Sequence, residues 1–300
     1  MRGVSCLLAI ALAFAGCGKS SVDSPRLTDP LLGTGAAEKV ADGFEFTEGP
    51  LWIERPGYLL FTDTQASAIE KLVPPSAVSV LRRPSNASNG LAVDPGGLLI
   101  ACEGGAHRVT RTLADGTVES IAARYGTRAL NSPNDVIVAR NGTIYFTDPD
   151  FGAVDPNDKQ PVSGVYRLAL DRTLTLIASD LRSPNGIALS PDDKTLYVGE
   201  MLDHYIRQYV VHADGTVDTP KKLADTARTP DGIGIDDLGN LYVSTLAGVQ
   251  VFSPEGALRG TIAVPEQPSN CTFGGEDRRT LYITARTSLY QVRVNVPGKP

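Results

Sequence analysis

One short unit recurs six times along this chain, and it limits the fold more than any other feature. Its copies begin Glu48-Gly-Pro-Leu-Trp, Asn89-Gly-Leu-Ala-Val, Asn134-Asp-Val-Ile-Val, Asn185-Gly-Ile-Ala-Leu, Asp231-Gly-Ile-Gly-Ile and Asn270-Cys-Thr-Phe-Gly. Each opens on a side-chain oxygen and runs into a short apolar strand. The spacings are 41, 45, 51, 46 and 39 residues, the length of one four-stranded propeller blade. Turn residues follow each first strand, such as Pro56-Gly57, Asn141-Gly142 and Pro191-Asp192-Asp193. Second strands come next, among them Leu59 to Asp63, Ile144 to Asp148 and Leu281 to Ala285, rich in the β-branched and aromatic residues of buried strands. More alternating third strands follow, such as Ala68 to Val73 and Gly248 to Phe252, and fourth strands such as Leu174 to Ala178 and Gly260 to Val264. No segment shows a sustained helical period. Six near-equal units argue against a β-sandwich, so the expected fold is all-β: a six-bladed β-propeller over residues 38–296.

The count of strands carries a topological consequence. The chain ends after the third strand of the sixth unit. The missing strand has a candidate ahead of the first anchor, at Glu38-Lys39-Val40-Ala41-Asp42-Gly43. Pairing it into the last blade closes the ring with both chain ends and removes an exposed sheet edge.

The innermost strand of every blade lines the central channel, so the six anchors are expected in one ring at one mouth. That ring reads Glu48, Asn89, Asn134, Asn185, Asp231, Asn270, with no His or Cys. Two carboxylates and four amides suit a hard divalent cation that prefers oxygen donors. A zinc site of the usual kind wants His or Cys. Without a cation, Glu48 and Asp231 would repel each other in a partly dry channel. The competing explanation is local: Asn and Asp often start strands by bonding their own backbone. It does not account for Glu48.

Ahead of the repeats the chain has a different character. Arg2 and the apolar run Val4 to Phe14 read as a signal peptide over 1–16, too short to span a bilayer. Ala13-Phe14-Ala15-Gly16-Cys17 resembles a bacterial lipobox, which would lipidate Cys17. Residues 17–37 then form a polar, Pro-containing tether. The expectation is an exported protein anchored to a bacterial membrane, facing the periplasm or the outside. Gly18 after the Cys favours the outer membrane by resemblance to known sorting patterns. Formal charge is -6, with no Lys/Arg run to suggest nucleic acid and no second long apolar run to suggest a membrane span. Cys102 and Cys271 fall in repeats two and six, which do not read as neighbours for a disulfide; both are expected as small buried residues.

At these anchors the chain resembles the gluconolactonase, regucalcin and luciferin-regenerating-enzyme family, over Val40 to about Val294. The carrying segments are Phe46-Thr-Glu-Gly-Pro-Leu-Trp52, Leu130-Asn-Ser-Pro-Asn-Asp-Val136, Ile144-Tyr-Phe-Thr-Asp-Pro149, Ser183-Pro-Asn-Gly-Ile187 and Thr229-Pro-Asp-Gly-Ile233. The resemblance implies four protein ligands to one divalent metal: Glu48, Asn134, Asn185 and Asp231. It points to calcium, with magnesium, manganese and zinc as alternatives. Asn89, Asn270 and Glu103 are then candidates to meet substrate. The paraoxonases and the diisopropyl fluorophosphatase share the same general metal-centred plan.

No Gly-x-Ser-x-Gly elbow or Ser-His-Asp set is legible, and His107, His204 and His212 are scattered. A metal-centred hydrolase needs none of these. The expected activity is opening of a sugar lactone, with the cation polarising the carbonyl and Asp231 as general base or, alternatively, nucleophile. Tyr125, Arg128 and Phe151 are candidate pocket walls. An organophosphate hydrolase and a non-catalytic binding propeller remain alternatives. Partners beyond a small lactone are not implied, and the oligomeric state is not legible.

Overall fold

The computed structural model describes residue 1 and residues 29–152 and 155–299. The expected leader, Cys17 and most of the tether lie outside the described residues. Among the described residues no helix is long and apolar enough to cross a membrane.

Six antiparallel four-stranded sheets follow one another around an axis. Five are built consecutively, from Thr47–Ile53 in the first blade to Leu258–Ile262 in the fifth. The sixth combines Pro268–Gly274, Thr280–Ala285 and Ser288–Arg293 with the N-terminal strand Glu38–Asp42 as its outer member. The closing strand pairs Glu38 with Gln291, Lys39 with Tyr290 and Asp42 with Ser288. The expected propeller and its two-ended closure are both present. Three small differences stand out. The fifth blade's outer strand is Leu258–Ile262, two residues earlier than expected. The third inner strand starts at Val136, so Asn134 lies just ahead of it. A short hairpin, Arg124–Tyr125 with Arg128–Ala129, stands beside the third blade.

Apolar alternation within the strands builds the interfaces between blades. In Tyr58–Asp63, Leu59 and Phe61 face the sixth blade while Leu60 faces the second. Similar pairs repeat around the ring, such as Tyr145 towards the fourth blade and Ile144 and Phe146 towards the second. Each adjacent pair of blades therefore owns one apolar cluster, and each fully buried Leu, Ile or Phe contributes about 1.5–3 kcal/mol. Second strands face neighbours on both sides, which is why they read as continuous apolar runs. Cys102 and Cys271 are free and buried in two of these clusters.

Two devices hold the ring shut. At the mouth face, Glu266 gathers the Thr287 N–H (3.2 Å), the Ser288 and Tyr290 hydroxyls and the Lys39 ammonium (3.3 Å) onto one carboxylate. Burial pushes its pKa up, but these donors outweigh burial and hold it at about 2. A depressed acid stabilises the fold fully above its unfolded pKa, and that contribution fades as pH falls from about 4.5 towards 2. With the side chain a quarter exposed, we expect Glu266→Gln to cost about 1–2 kcal/mol at neutral pH. Thermal melts should show a Tm lower by about 3–6 °C, with the gap to wild type closing at the acid end. At the opposite face the C-terminal residues cross under two blades. Asp237 N–H donates to Pro297 O (2.8 Å), Gly298 N–H donates to Arg278 O (2.7 Å), and Lys299 Nζ reaches Asp193 (2.6 Å).

Candidate active site

All six inner strands start at the same face, so the anchors meet at one mouth. The residue after the anchor is Gly in four blades, and the structure shows why. A Cβ on Gly49 would stand 1.9 Å from Asn89 O, one on Gly186 2.2 Å from Asp231 O, and one on Gly232 1.9 Å from Asn270 Cγ. The inner strands approach too closely around the axis for any side chain there. Blade three departs from this pattern with Asp135, and blade six with Cys271.

Glu48 is 3% exposed, and its Oε2 accepts the Gly49 N–H at 3.1 Å. Burial, the Asp231 charge and the Asp135 charge drive its pKa well above the carboxylate range, against the Gly49 N–H and the Asn270 side chain. Burial and Asp135 raise Asp231 to about 7, while the Asn185 amide and the Arg286 charge pull it down. Burial lifts Asp135 to about 6, although the Ile187 N–H (3.1 Å), the Val136 N–H (2.9 Å) and Asn270 bond its carboxylate. Three acids thus share one desolvated axis, and each raises the cost of charging another. Asp135 was not among the candidates drawn from sequence. Its signal was available: it puts an acid where the neighbouring repeats have Gly90 and Gly186.

The amides fall around these acids. Asn185 bonds Asp231 and lies 3.5 Å from Met201 Sδ. Asn134 is 4% exposed and fixed by its backbone, donating to Thr147 O (2.8 Å) and accepting from Gly90 N–H (2.7 Å). Asn270 Oδ1 accepts the Cys271 N–H at 2.8 Å, and its side chain touches Glu48 and Asp135. Asn89 Oδ1 is buried without any hydrogen-bond partner. Beneath the ring the channel opens into a cavity of about 350 Å³ walled by Leu91, Val136, Ile187 and Ile233, with Asp135 and Asn270 on its lining.

The remaining candidates sit apart from this cluster. Glu103 is 1% exposed in the wall of blade two, where it binds Arg82 (3.1 Å), Arg108 (2.8 Å), Asn86 (2.8 Å) and Thr110 (3.1 Å). Its bonding capacity is spent on these contacts within blade two and from the end of blade one. The Asp148 carboxylate, in the corresponding position of blade three, accepts the Asn131 N–H at 2.8 Å and so pins the segment leading to Asn134. His107 Nδ1 bonds Asn131 O. Tyr125 packs edge-on against Tyr166 at 5.4 Å, Arg128 donates to Lys159 O at 3.0 Å, and Phe151 is exposed on the long loop of blade three.

The donor set fits a hard cation. The ring offers only oxygens at its charged positions, one amide oxygen lacks a partner, and three acids crowd together with no basic side chain among the anchors. Among the described residues no three His, Cys, Asp or Glu side chains converge at metal-ligand spacing. A cation here would therefore rest on carboxylates completed by amide oxygens.

A family model described as the SMP-30/Gluconolactonase/LRE-like region matches residues 46–287, which include all six anchors. A gluconolactonase from Zymomonas mobilis is 33% identical over 94% of this chain and 87% of its own length. The solved structure of a gluconolactonase from Xanthomonas campestris is 35% identical, superposes with a TM-score of 0.81, and is matched over 89% of this chain and 92% of that one. A regucalcin structure from Agrobacterium tumefaciens shares the fold at 18% identity and TM-score 0.73, over 89% of this chain and 98% of that one. The chain belongs to the SMP-30/gluconolactonase/LRE-like family.

Proposed function

We propose that the protein is a metal-dependent lactonase that opens sugar lactones at the channel mouth. The observation that carries this reading is the oxygen-only ring, in which Glu48 and Asp231 share a desolvated axis with four amides and Asp135. The gluconolactonase relatives, similar over most of both chains, supply the substrate class. Glu48, Asn134, Asn185 and Asp231 would hold the cation, calcium being the best match to an oxygen-only set. When bound, it supplies Lewis-acid polarisation of the lactone carbonyl.

The chain's own residues do the rest. Asn270, whose amide bonds Glu48 and Asp135, and Asn89, whose Oδ1 has no partner, orient the sugar hydroxyls. Leu91, Val136, Ile187 and Ile233 wall the channel below the ring with apolar side chains. Asp231 takes a proton from the attacking water as the new C–O bond forms at the carbonyl carbon. It returns that proton to the ring oxygen as the ester C–O bond breaks, leaving the open hydroxy acid. The Asn185 amide favours its ionised form, while burial and Asp135 outweigh that and raise its pKa to about 7, within reach of base chemistry near neutral pH.

The test is hydrolysis of a sugar-lactone panel, including glucono-δ-lactone, by metal-stripped protein before and after adding calcium, magnesium, manganese or zinc. We expect turnover only with added cation, and most with calcium. Tight cation binding with no turnover of any lactone would overturn the reading and leave a binding propeller. Turnover of phosphotriesters in place of lactones would reassign the substrate.

A further inference from the structure

Arg286 occupies a position at the channel mouth that the proposed reaction does not use. It begins the two-residue turn between Thr280–Ala285 and Ser288–Arg293. Its backbone is in the left-handed region at φ 48, where glycine is the default residue. The turn is fixed to the first inner strand, because Arg286 O accepts both the Thr47 N–H (2.8 Å) and the Thr47 hydroxyl (3.2 Å). Thr47 is the residue before Glu48, so the turn and the ring move as one piece. The guanidinium lies over the Phe46 ring, 5.9 Å from its centroid, and donates to Gln267.

Other arginines share the left-handed conformation. Arg172 and Arg278 do so at the opposite face, and each has a carboxylate partner, Glu119 and Asp237. Arg286 is exposed, and among the described residues no carboxylate lies within 4.0 Å of it. An unpaired guanidinium has therefore been kept, in a strained backbone position, at the edge of an acidic axis. Strain of this kind at a mouth points to a use for the side chain.

We propose that Arg286 is a specificity residue that selects lactones carrying an anionic group away from the reacting carbonyl: a carboxylate, phosphate or sulfonate. Three acids on the axis exceed the charge of one divalent cation, so an anionic substrate meets net repulsion at the mouth unless a cation stands there. A guanidinium fork packed on an aromatic ring offers paired donors to such a group at little cost in lost side-chain freedom. This inference rests on the lactonase reading above.

The test compares two six-carbon 1,4-lactones: D-saccharic acid 1,4-lactone, which carries a carboxylate, and neutral D-galactono-1,4-lactone. Arg286→Gly suits the left-handed turn and should fold at least as well as wild type. We expect it to lower kcat/KM for the anionic lactone about tenfold or more, mainly through KM, and to change the neutral one less than about twofold. Arg286→Lys should restore part of the loss. Added salt of about 0.5 M should weaken only the anionic reaction. Equal losses on both lactones, or none on either, would overturn the proposal. If wild type turns over neither these two nor any other lactone of the panel, the lactonase reading fails. Calorimetric binding of D-saccharic acid 1,4-lactone then decides the role of Arg286: about tenfold weaker in Arg286→Gly upholds it, and equal affinity sinks it.

Discussion

Glu48→Gln should leave a folded propeller that has lost about a thousandfold or more in kcat/KM on any lactone the wild type opens. The substitution keeps shape and volume but removes one of the two ring carboxylates that balance a divalent charge. A cation held by Asp231 and amides alone binds weakly, and its loss removes several kcal/mol of transition-state stabilisation. Stability should respond with opposite signs in the two states. In the metal-free protein Glu48 is pressed against Asp231 and Asp135 in a desolvated channel. Burial and those neighbours suppress an ionisation the unfolded chain gains freely, and Gln has none to suppress, so the metal-free variant should melt a few degrees above metal-free wild type at neutral pH. With calcium present the order should reverse, because ligand binding stabilises only the protein that holds it. Melts with and without chelator, beside a lactone assay, check all three statements. A variant that keeps full activity would remove Glu48 from the site.

Gly49→Ala should be the most damaging single-methyl change at the mouth. Two costs combine there. The backbone is at φ +44, and the new Cβ would meet Asn89 O at 1.9 Å, Asn89 C at 2.8 Å and Gly90 Cα at 3.1 Å. All three contacts are main-chain atoms of the next inner strand, so no side chain can swing aside. We expect a loss of about 3–5 kcal/mol, enough to lower Tm by about 10 °C or abolish soluble expression. Any protein recovered should be inactive, since the neighbouring Glu48 must shift with the strand. Two companions separate the causes. Gly97→Ala, at φ +80 with open space around it, should cost only about 1 kcal/mol for the backbone angle. Gly186→Ala keeps an ordinary φ but meets Asp231 O at 2.2 Å, so it should approach the Gly49 result through crowding alone. If all three variants melt alike, close approach at the axis is not what holds these glycines.

The ring was legible because a propeller turns sequence period into spatial equivalence. Six anchors at matching points of six units had to meet on the axis, and the strand count alone required Glu38–Asp42 to complete the last blade. What escaped was set by contacts that no period encodes. Asp135 stands one residue beyond an anchor, where its neighbours need glycine, and its approach to Glu48 and Asp231 depends on how tightly the inner strands converge. Glu103, a candidate to meet substrate, ends the second strand of blade two. There it meets Arg82 and Arg108, one of which arrives from the preceding blade, and no sequence period encodes that pairing. The crossing of residues 297–299 beneath blades five and four has no strand pattern at all. It depends on Gly298 fitting against Phe273, where an added Cβ would come within 2.1 Å.

Strand direction decides which way this molecule can look. Inner strands run away from the mouth, so the closing strand, antiparallel to Ser288–Arg293, begins at the far face. Pro30 O accepts the Asn295 N–H there at 3.4 Å, and Asp29 O accepts the Asn295 side chain at 2.7 Å. Anything that grips the chain ahead of residue 29 therefore pulls on the underside. A resin, a fused carrier or a lipid surface attached at that end would leave the mouth turned outward, open to whatever diffuses past.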